Sequence, residues 1–415
     1  MSRRKRQPNP SYIWKHGALA IGGVAMLGAL SACTTLDSHV IGAVDGGEGG
    51  VSNGSDGGGG ATTIDRTKLD ILVMIDNSGS MEQEQAALAE GMPRMLRALI
   101  TGDRLGNDVS GDAETLTDNF TPITDIHIGI VTSDMGTAGA TIQTCVSQPF
   151  GENGVLRDRA GAGAGAGCSA NYPSTLAFRA GTNGRDIETN KTVVEFAADF
   201  ACVAQVGTNG CGFEQQLESS LKALTPASSP LRFLNNSSGN GEGGPNTGLV
   251  RSDSTVLVIL ISDEEDCSFQ DSSLVDGSDP VVTNTNINLR CVTYPELLYP
   301  VSRYVDGLKA LRPGNEESVF FSAIVGVPTD LIPAAGETPN YDVILADDRM
   351  QQVQDSDNPN QLRAACQDTG RGRADPARRI VEVVRGFGAN GSLQSICQAD
   401  FSPALDGIIS AVTED

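Results

Sequence analysis

Four largely apolar segments of strand length constrain the fold of this chain more than any other sequence feature. Each is rich in β-branched residues and has few polar positions, which is typical of strands buried on both faces of a sheet. The segments are 69–75, 126–131, 255–261 and 319–325. Helical patterns lie between or after them, at 213–224, 297–311, 376–387 and 403–412. This alternation predicts an α/β fold with a doubly wound, mostly parallel sheet covered by helices on both faces.

The first of these segments stops abruptly at a polar turn. Asp76, Ser78 and Ser80 are separated there by Asn77 and Gly79, and a helical pattern follows with Ser80 as its expected N-cap. The turn carries one carboxylate and two hydroxyls, which are the hard oxygen donors that a Mg²⁺-sized cation prefers. In an open parallel sheet, ligands bind beyond the carboxyl ends of the strands, where this turn is expected to lie.

The third segment ends in a second acid. It runs into Ser262 and Asp263, and Asp263 faces the same crevice as Asp76 if the two strands are neighbours in the sheet. The acidic residues 264–266 follow, and we expect them to form a solvated loop beside Cys267.

These strand-ending motifs resemble those of von Willebrand factor A domains. Residues 71–80 are similar to the family's Asp-x-Ser-x-Ser signature, and 261–263 are similar to its strand-ending Thr-Asp-Gly. The match spans most of 68–325, although the specific motifs occupy only these short stretches. The resemblance implies a von Willebrand A, Rossmann-like fold with a metal-ion-dependent adhesion site. That site would use Asp76, Ser78, Ser80 and Asp263, and would leave one coordination position for an acidic group on a partner protein.

The family's site also contains a threonine from a further loop, and two residues compete for that role here. Thr208 matches by chemistry, whereas Glu214 sits closer to the expected start of the following helix. We favour Thr208 slightly. A carboxylate from Glu214 would neutralise more of the ion's charge and shift the preference from Mg²⁺ towards Ca²⁺. We therefore expect one divalent cation, either Mg²⁺ or Ca²⁺.

The turn at 76–80 is open to less specific interpretations. On its own, it is also compatible with simple helix capping. An enzyme is a weaker interpretation, because the chain has no G-x-S-x-G elbow, no H-E-x-x-H and no P-loop pattern. We assign no catalytic residue and expect a binding protein rather than an enzyme. A metal-dependent hydrolase and an envelope lipoprotein with a purely stabilising metal remain the alternatives.

The N-terminus has the pattern of an export signal. A basic leader precedes an apolar stretch at 17–30, which is too short to span a bilayer, since a span needs about 20 residues. Leu30-Ser31-Ala32-Cys33 resembles the bacterial lipobox, so we expect cleavage before Cys33 and lipidation of its thiol. The alternative is an ordinary cleaved signal that leaves Cys33 as a free thiol. Thr34 after the cysteine points to the outer membrane of a diderm bacterium.

The remaining cysteines support export independently. Eight are left when Cys33 is set aside, an even number that suits four disulfides in an oxidising compartment. The sequence does not fix the connectivity of these disulfides, and we expect each cysteine to pair with its nearest neighbour in the sequence. The expected pairs are Cys145–Cys168, Cys202–Cys211, Cys267–Cys291 and Cys366–Cys397. A zinc cage is the weaker alternative, because no C-x-x-C is present.

Charge and composition complete the expected organisation. The net charge of −23 argues against a nucleic-acid partner, because an acidic surface repels phosphate backbones. We expect a signal peptide at 1–32, a lipidated cysteine with a glycine-rich tether at 33–65, and one domain at 66–415. That domain would carry disulfide-linked insertions at about 140–207 and 265–295 and a C-terminal extension. The expected function is metal-mediated binding of a protein or surface ligand that bears a carboxylate, with the membrane contacted through the lipid anchor.

Overall fold

A computed structural model describes residues 62–103, 120–142, 144–145, 151–161, 164–165, 167–334, 337–368, 372–398 and 401–413. These described residues belong to one compact unit. The expected signal peptide, Cys33 and nearly all of the tether lie outside the described residues. No helix in the described ranges is long and apolar enough to cross a membrane.

A six-stranded, mostly parallel sheet forms the centre of the fold. Its strand order is β3-β2-β1-β4-β5-β8, and only the edge strand β3 runs antiparallel to its neighbour. A separate antiparallel pair is formed by β6 and β7. The strands are β1 (Asp65–Ile75), β2 (Asp125–Thr132), β3 (Leu176–Arg179), β4 (Ser254–Ile261), β5 (Val319–Val325), β6 (Cys366–Asp368), β7 (Gly372–Ala374) and β8 (Gly391–Ser395).

Helices cover both faces of the sheet. The helices are α1 (Glu82–Thr101), α2 (Val193–Ala204), α3 (Gln216–Leu224), α4 (Ser273–Asp276), α5 (Pro280–Thr283), α6 (Arg290–Thr293), α7 (Ser302–Lys309), α8 (Tyr341–Ala346), α9 (Arg378–Gly386) and α10 (Ser402–Thr413). Helices α1, α2 and α10 share one apolar core with alternate residues of the central strands. Helices α3, α7 and α9 share a second core with the intervening residues. Successive side chains of a strand point to opposite faces of the sheet. Because each face packs against a core, the central strands are apolar at nearly every position.

The four strands expected from sequence are β1, β2, β4 and β5, and the mostly parallel α/β sheet is confirmed. Two elements come from the segment expected as an insertion at about 140–207. Within it, β3 pairs with β2, and α2 packs its apolar side against α1. The expected C-terminal extension supplies β8, which pairs with β5, and α10. The segment 265–295 forms the short helices α4, α5 and α6.

The structure contains four disulfides, and two of the expected pairings are wrong. Cys267–Cys291 and Cys366–Cys397 are bonded as expected. The other two bonds join Cys145 to Cys211 and Cys168 to Cys202, instead of Cys145 to Cys168 and Cys202 to Cys211. The reason is the position of α2, which carries Cys202 to the loop around Cys168. Cys211 then lies after α2 and faces Cys145, beside the buried side chain of Phe213.

Candidate metal centre

The polar turns after β1, β2 and β4 meet at one edge of the sheet. Strand β1 lies between β2 and β4 and is parallel to both, so Ile75 is in register with Thr132 on one side and Ile261 on the other. The adjacency of β1 and β4, on which the predicted site depends, is therefore present. Since parallel strands end at the same edge, the residues that follow them converge there.

Asp76 is fully buried at the centre of this edge. Its Oδ1 accepts hydrogen bonds from the backbone N–H of Ser78 at 2.8 Å and from Ser133 Oγ at 3.2 Å. Its Oδ2 accepts a bond from Ser262 Oγ at 2.6 Å. One strand-ending serine from each neighbouring strand thus holds the carboxylate in place. Burial raises the pKa of Asp76, and these hydrogen bonds oppose the shift only in part.

Ser78, Ser80 and Asp263 form a short chain of side-chain oxygens beside Asp76. The two serine Oγ atoms are 3.0 Å apart, and Ser80 Oγ donates to Asp263 Oδ1 at 3.1 Å. The structure therefore brings together all four residues that the motifs selected. Asp263 and Ser78 are buried, whereas Ser80 is exposed and marks the open side of the cluster.

The expected helix-capping role of Ser80 is wrong. A short turn at Gly79–Met81 precedes α1, whose N-cap is Met81 without a side-chain cap. The hydroxyl of Ser80 instead bonds Asp263, 183 residues further along the chain. In the described part of the chain, no backbone N–H at the start of α1 donates to a side-chain cap, so the alternative in which 76–80 only caps α1 loses its main support.

Thr208 lies in the loop between α2 and α3, and this loop runs beside Asp76. Gln85 Nε2 donates to the backbone oxygens of both Asp76 and Gly207 at 2.9 Å. The N–H of Gly210 donates to Asn77 O at 2.8 Å. No hydrogen bond within the described ranges joins the Thr208 side chain to the cluster. The loop is therefore close to the centre, but the structure does not show the Thr208 hydroxyl reaching it.

Glu214 has the closer relation to Asp76. It lies two residues before α3 and is only 4% exposed. Its Oε1 has no hydrogen-bond partner within the described part of the chain. Burial, followed by the charges of Glu264 and Asp76, raises the pKa of Glu214 well above its usual value. Glu214 is therefore a candidate for the further donor alongside Thr208.

Four carboxyl groups share this edge, those of Asp76, Glu214, Asp263 and Glu264. Burial raises the pKa of each, so each is harder to ionise than a carboxyl group in water. Burial and the Asp76 and Glu264 charges raise the pKa of Asp263 well above its usual value. Burial and the Asp76 charge raise the pKa of Glu264 to about 7. Mutual repulsion of this kind is what a bound cation would relieve. Across the described residues, no three His, Cys, Asp or Glu side chains stand in a ready-made metal arrangement.

The acidic segment after Asp263 is not the solvated loop that the sequence suggested. Asp266 is buried, and its Oδ1 accepts bonds from Leu217 N at 3.0 Å and Ser268 Oγ at 2.6 Å. Glu265 accepts a bond from Arg379 N at 3.0 Å. These bonds tie the start of α3 and the start of α9 to the loop. The loop therefore supports the centre instead of projecting into water.

Sequence reasoning missed Ser133, Ser262 and the role of Glu264. Ser133 and Ser262 directly follow β2 and β4, as Asp76 follows β1. The signal that would have found both serines is their position, since every polar residue directly after a buried parallel strand faces the same crevice. Glu264 gave no such signal, because its contact with Glu214 depends on how the two loops fold back.

Comparison with known proteins adds little. No protein-family model matches the chain, and no curated protein matches it. One solved structure to which it is similar is that of proximal thread matrix protein 1 (PTMP1) from the mussel byssus, at 15% sequence identity and a TM-score of 0.25. The alignment covers 65% of this chain and 39% of that one, so the chain spans well under two thirds of that protein. A similarity at this level supports no conclusion about fold family or function.

Proposed function

We propose that this chain is an exported, lipid-anchored protein whose von Willebrand A-like domain binds a protein or surface ligand through one divalent cation. The observation that carries the proposal is the continuous set of oxygens at the carboxyl edge of β1 and β4. Hydrogen bonds join the side-chain oxygens of Ser78, Ser80 and Asp263, and the backbone N–H of Ser78 donates to Asp76. They come from two loops that are 183 residues apart, and simple helix capping gives no reason for that convergence.

The chemistry of the residues fits a hard cation. The two serine hydroxyls and the carboxylates of Asp76 and Asp263 are oxygen donors of the kind that Mg²⁺ and Ca²⁺ take. The raised pKa values of Asp76 and Asp263 support the same conclusion, because a nearby positive charge would stabilise both anions. These four residues would hold the ion, and Glu214 is the candidate for a fifth ligand. A bound ion would supply positive charge and an open coordination position.

The exposed side of the centre suits binding of a partner. Ser80 is exposed, whereas Asp76 and Asp263 are buried behind it. A partner's oxygen would therefore approach from the Ser80 side, and the family resemblance implies that this oxygen belongs to a carboxylate. The sheet order, with one antiparallel strand next to β2, is compatible with the proposed von Willebrand A-like fold. Lipidation at Cys33 and the tether at 33–65 would then hold the domain away from the membrane.

A paired experiment on the full chain in detergent tests the proposal. Metal binding is measured by calorimetry after chelation, and partner capture from cell-envelope extracts is compared in Mg²⁺, in Ca²⁺ and in chelator. The test variant is Asp76→Asn. The matched control is Asp70→Asn, which neutralises a buried aspartate within β1, six positions before Asp76 and paired with Arg251. Asp70→Asn should lower stability without affecting metal binding.

The expected result is one bound ion per chain, with capture of the same partner only when metal is present. Asp76→Asn should abolish both. Absence of metal binding to the native chain would end the proposal. Metal binding that raises the melting temperature without any metal-dependent partner would favour a purely stabilising ion. Metal-dependent hydrolysis of phosphoesters or peptides, lost in Asp76→Asn, would make the protein an enzyme instead.

A further inference from the structure

Glu214 leaves one buried carboxylate oxygen without a hydrogen-bond partner in the described part of the chain. The residue is 4% exposed, its Oε1 has no hydrogen-bond partner among the described residues, and the charges of Glu264 and Asp76 raise its pKa. An unpartnered carboxylate oxygen in the interior is costly, so it needs a physical reason. A cation held by Asp76 would provide that reason.

Neighbouring backbone and side-chain bonds fix the position of Glu214. The N–H of Gln215 donates to Ser133 O at 3.1 Å, on the side of β2. On the side of β4, Cys267 N donates to Glu214 O at 2.9 Å. Gln216, two residues after Glu214, donates from Nε2 to the Oγ of Ser262 at 2.9 Å. Ser133 and Ser262 are also the two serines that hold the carboxylate of Asp76. The backbone at Glu214 is therefore held on the same frame as Asp76.

A third carboxylate changes which ion the centre suits. Mg²⁺ demands near-octahedral geometry at about 2.0 to 2.1 Å and is usually held by one or two carboxylates with several waters. Ca²⁺ takes six to eight oxygens at about 2.3 to 2.6 Å, and its carboxylates bind through one oxygen or two. Within the described residues, the three acids do not stand in a metal arrangement without the ion, so the ion would have to draw Glu214 towards Asp76 and Asp263. Three acids with two serines exceed what a small, rigid Mg²⁺ site normally uses. They fall within the range of Ca²⁺, which keeps room for a partner's oxygen.

We propose that Glu214 is a direct ligand of the ion and makes this centre selective for Ca²⁺ over Mg²⁺. This inference rests on the metal centre proposed above and assigns its specificity to one side chain. The competing hypothesis is that Glu214 and Glu264 share a proton as a structural carboxyl pair and do not contact an ion. The two hypotheses differ in whether Glu214 affects the ratio of the two metal affinities.

Calorimetric titration of the full chain with CaCl₂ and with MgCl₂ separates them. The variants are Glu214→Thr, which substitutes a hydroxyl, and Glu214→Gln, which removes the charge at nearly constant shape. Glu218→Gln is the matched control, because Glu218 is a buried acid one helical turn further along and is paired with Arg303 outside the centre. Circular dichroism checks the fold of each variant, and Glu214→Gln decides the question if Glu214→Thr does not fold.

We expect the native chain to bind Ca²⁺ at least roughly tenfold more tightly than Mg²⁺. Metal affinity falls by a comparable factor when a residue that positions a metal ligand is mutated. Both Glu214 variants should lose most of that preference, and Glu218→Gln should keep it. Native binding that favours Mg²⁺, or a preference unchanged in both Glu214 variants, would overturn the inference. If Asp76→Asn still abolishes binding in that case, the metal centre itself stands. If the native chain binds neither ion, the metal centre and this inference fail together.

Discussion

Removal of divalent cations should make the stability of this domain fall steeply as the pH rises from 4.5 to 7. Burial and the charge of Asp76 raise the pKa of Glu264 from 4.5 to about 7. The folded chain thus binds this proton more tightly than the unfolded chain does. The contribution of this proton to the free energy of unfolding is complete below pH 4.5 and is lost as the pH approaches 7. A shift of about 2.5 units at about 1.36 kcal/mol per unit corresponds to a loss of about 3 kcal/mol.

A bound cation should remove most of this pH dependence. It stabilises the carboxylate anions, and ligand at about 100 times its dissociation constant adds about 2.7 kcal/mol to the free energy of unfolding. The assay is urea denaturation between pH 4.5 and 7.5, in chelator and in excess CaCl₂. Buried acids away from the Asp76 cluster, such as Glu265 with a pKa of about 7, contribute to both curves. The difference between the curves therefore reports on the centre.

Two variants make the test specific. Glu264→Gln should reduce the pH-dependent loss in chelator by about 3 kcal/mol, because the substituted amide has no charge to bury. Glu296→Gln neutralises an exposed glutamate and should leave the loss unchanged. If the curves in chelator and in CaCl₂ fall in parallel, the carboxylates do not share a cation and the predicted coupling is wrong.

Three further substitutions test the frame around the centre by urea denaturation and metal calorimetry. Replacing Cys145 and Cys211 together by serine should cost about 2 to 4 kcal/mol, and unchanged stability would contradict that pairing. Gly210→Ala places a Cβ 2.0 Å from Asn77 Oδ1. This substitution should lower the free energy of unfolding by about 1 to 3 kcal/mol and weaken metal binding. An unchanged metal affinity would show that this loop does not position Asp76. Leu72→Ala in the middle of β1 should cost about 2 to 5 kcal/mol with metal affinity retained, and a selective loss of metal binding would argue against separate roles for core and edge.

The main strands were predictable because burial on both faces leaves a local signature. Segments 255–261 and 319–325 differ from β4 and β5 by at most one residue at an end. The edge strand β3 was not predictable in this way. It has only four residues, with alternating buried and exposed side chains, and lies in a long polar segment. A pattern of two buried and two exposed residues is too short to stand out from the surrounding polar sequence.

The candidate site was predictable to the extent that its members are fixed by position along the chain. Asp76 and Asp263 directly follow buried strands, and parallel strands end at one edge, so their convergence follows from topology. Whether Thr208 or Glu214 approaches Asp76 depends on how the loop after α2 returns to the sheet. The same loop holds Cys211, and its unexpected bond to Cys145 has the same origin. Long-range loop packing leaves no periodic signal in the sequence.

The proposed metal centre can be tested most directly by anomalous diffraction from crystals of this protein soaked in MnCl₂. We predict one strong peak per chain, within about 2 to 3 Å of oxygen atoms from Asp76, Ser78 and Ser80. Asp263 should lie in contact with the same ion or with one of its waters. An occupied site elsewhere, or no peak at this edge of the sheet, would contradict the proposed metal centre.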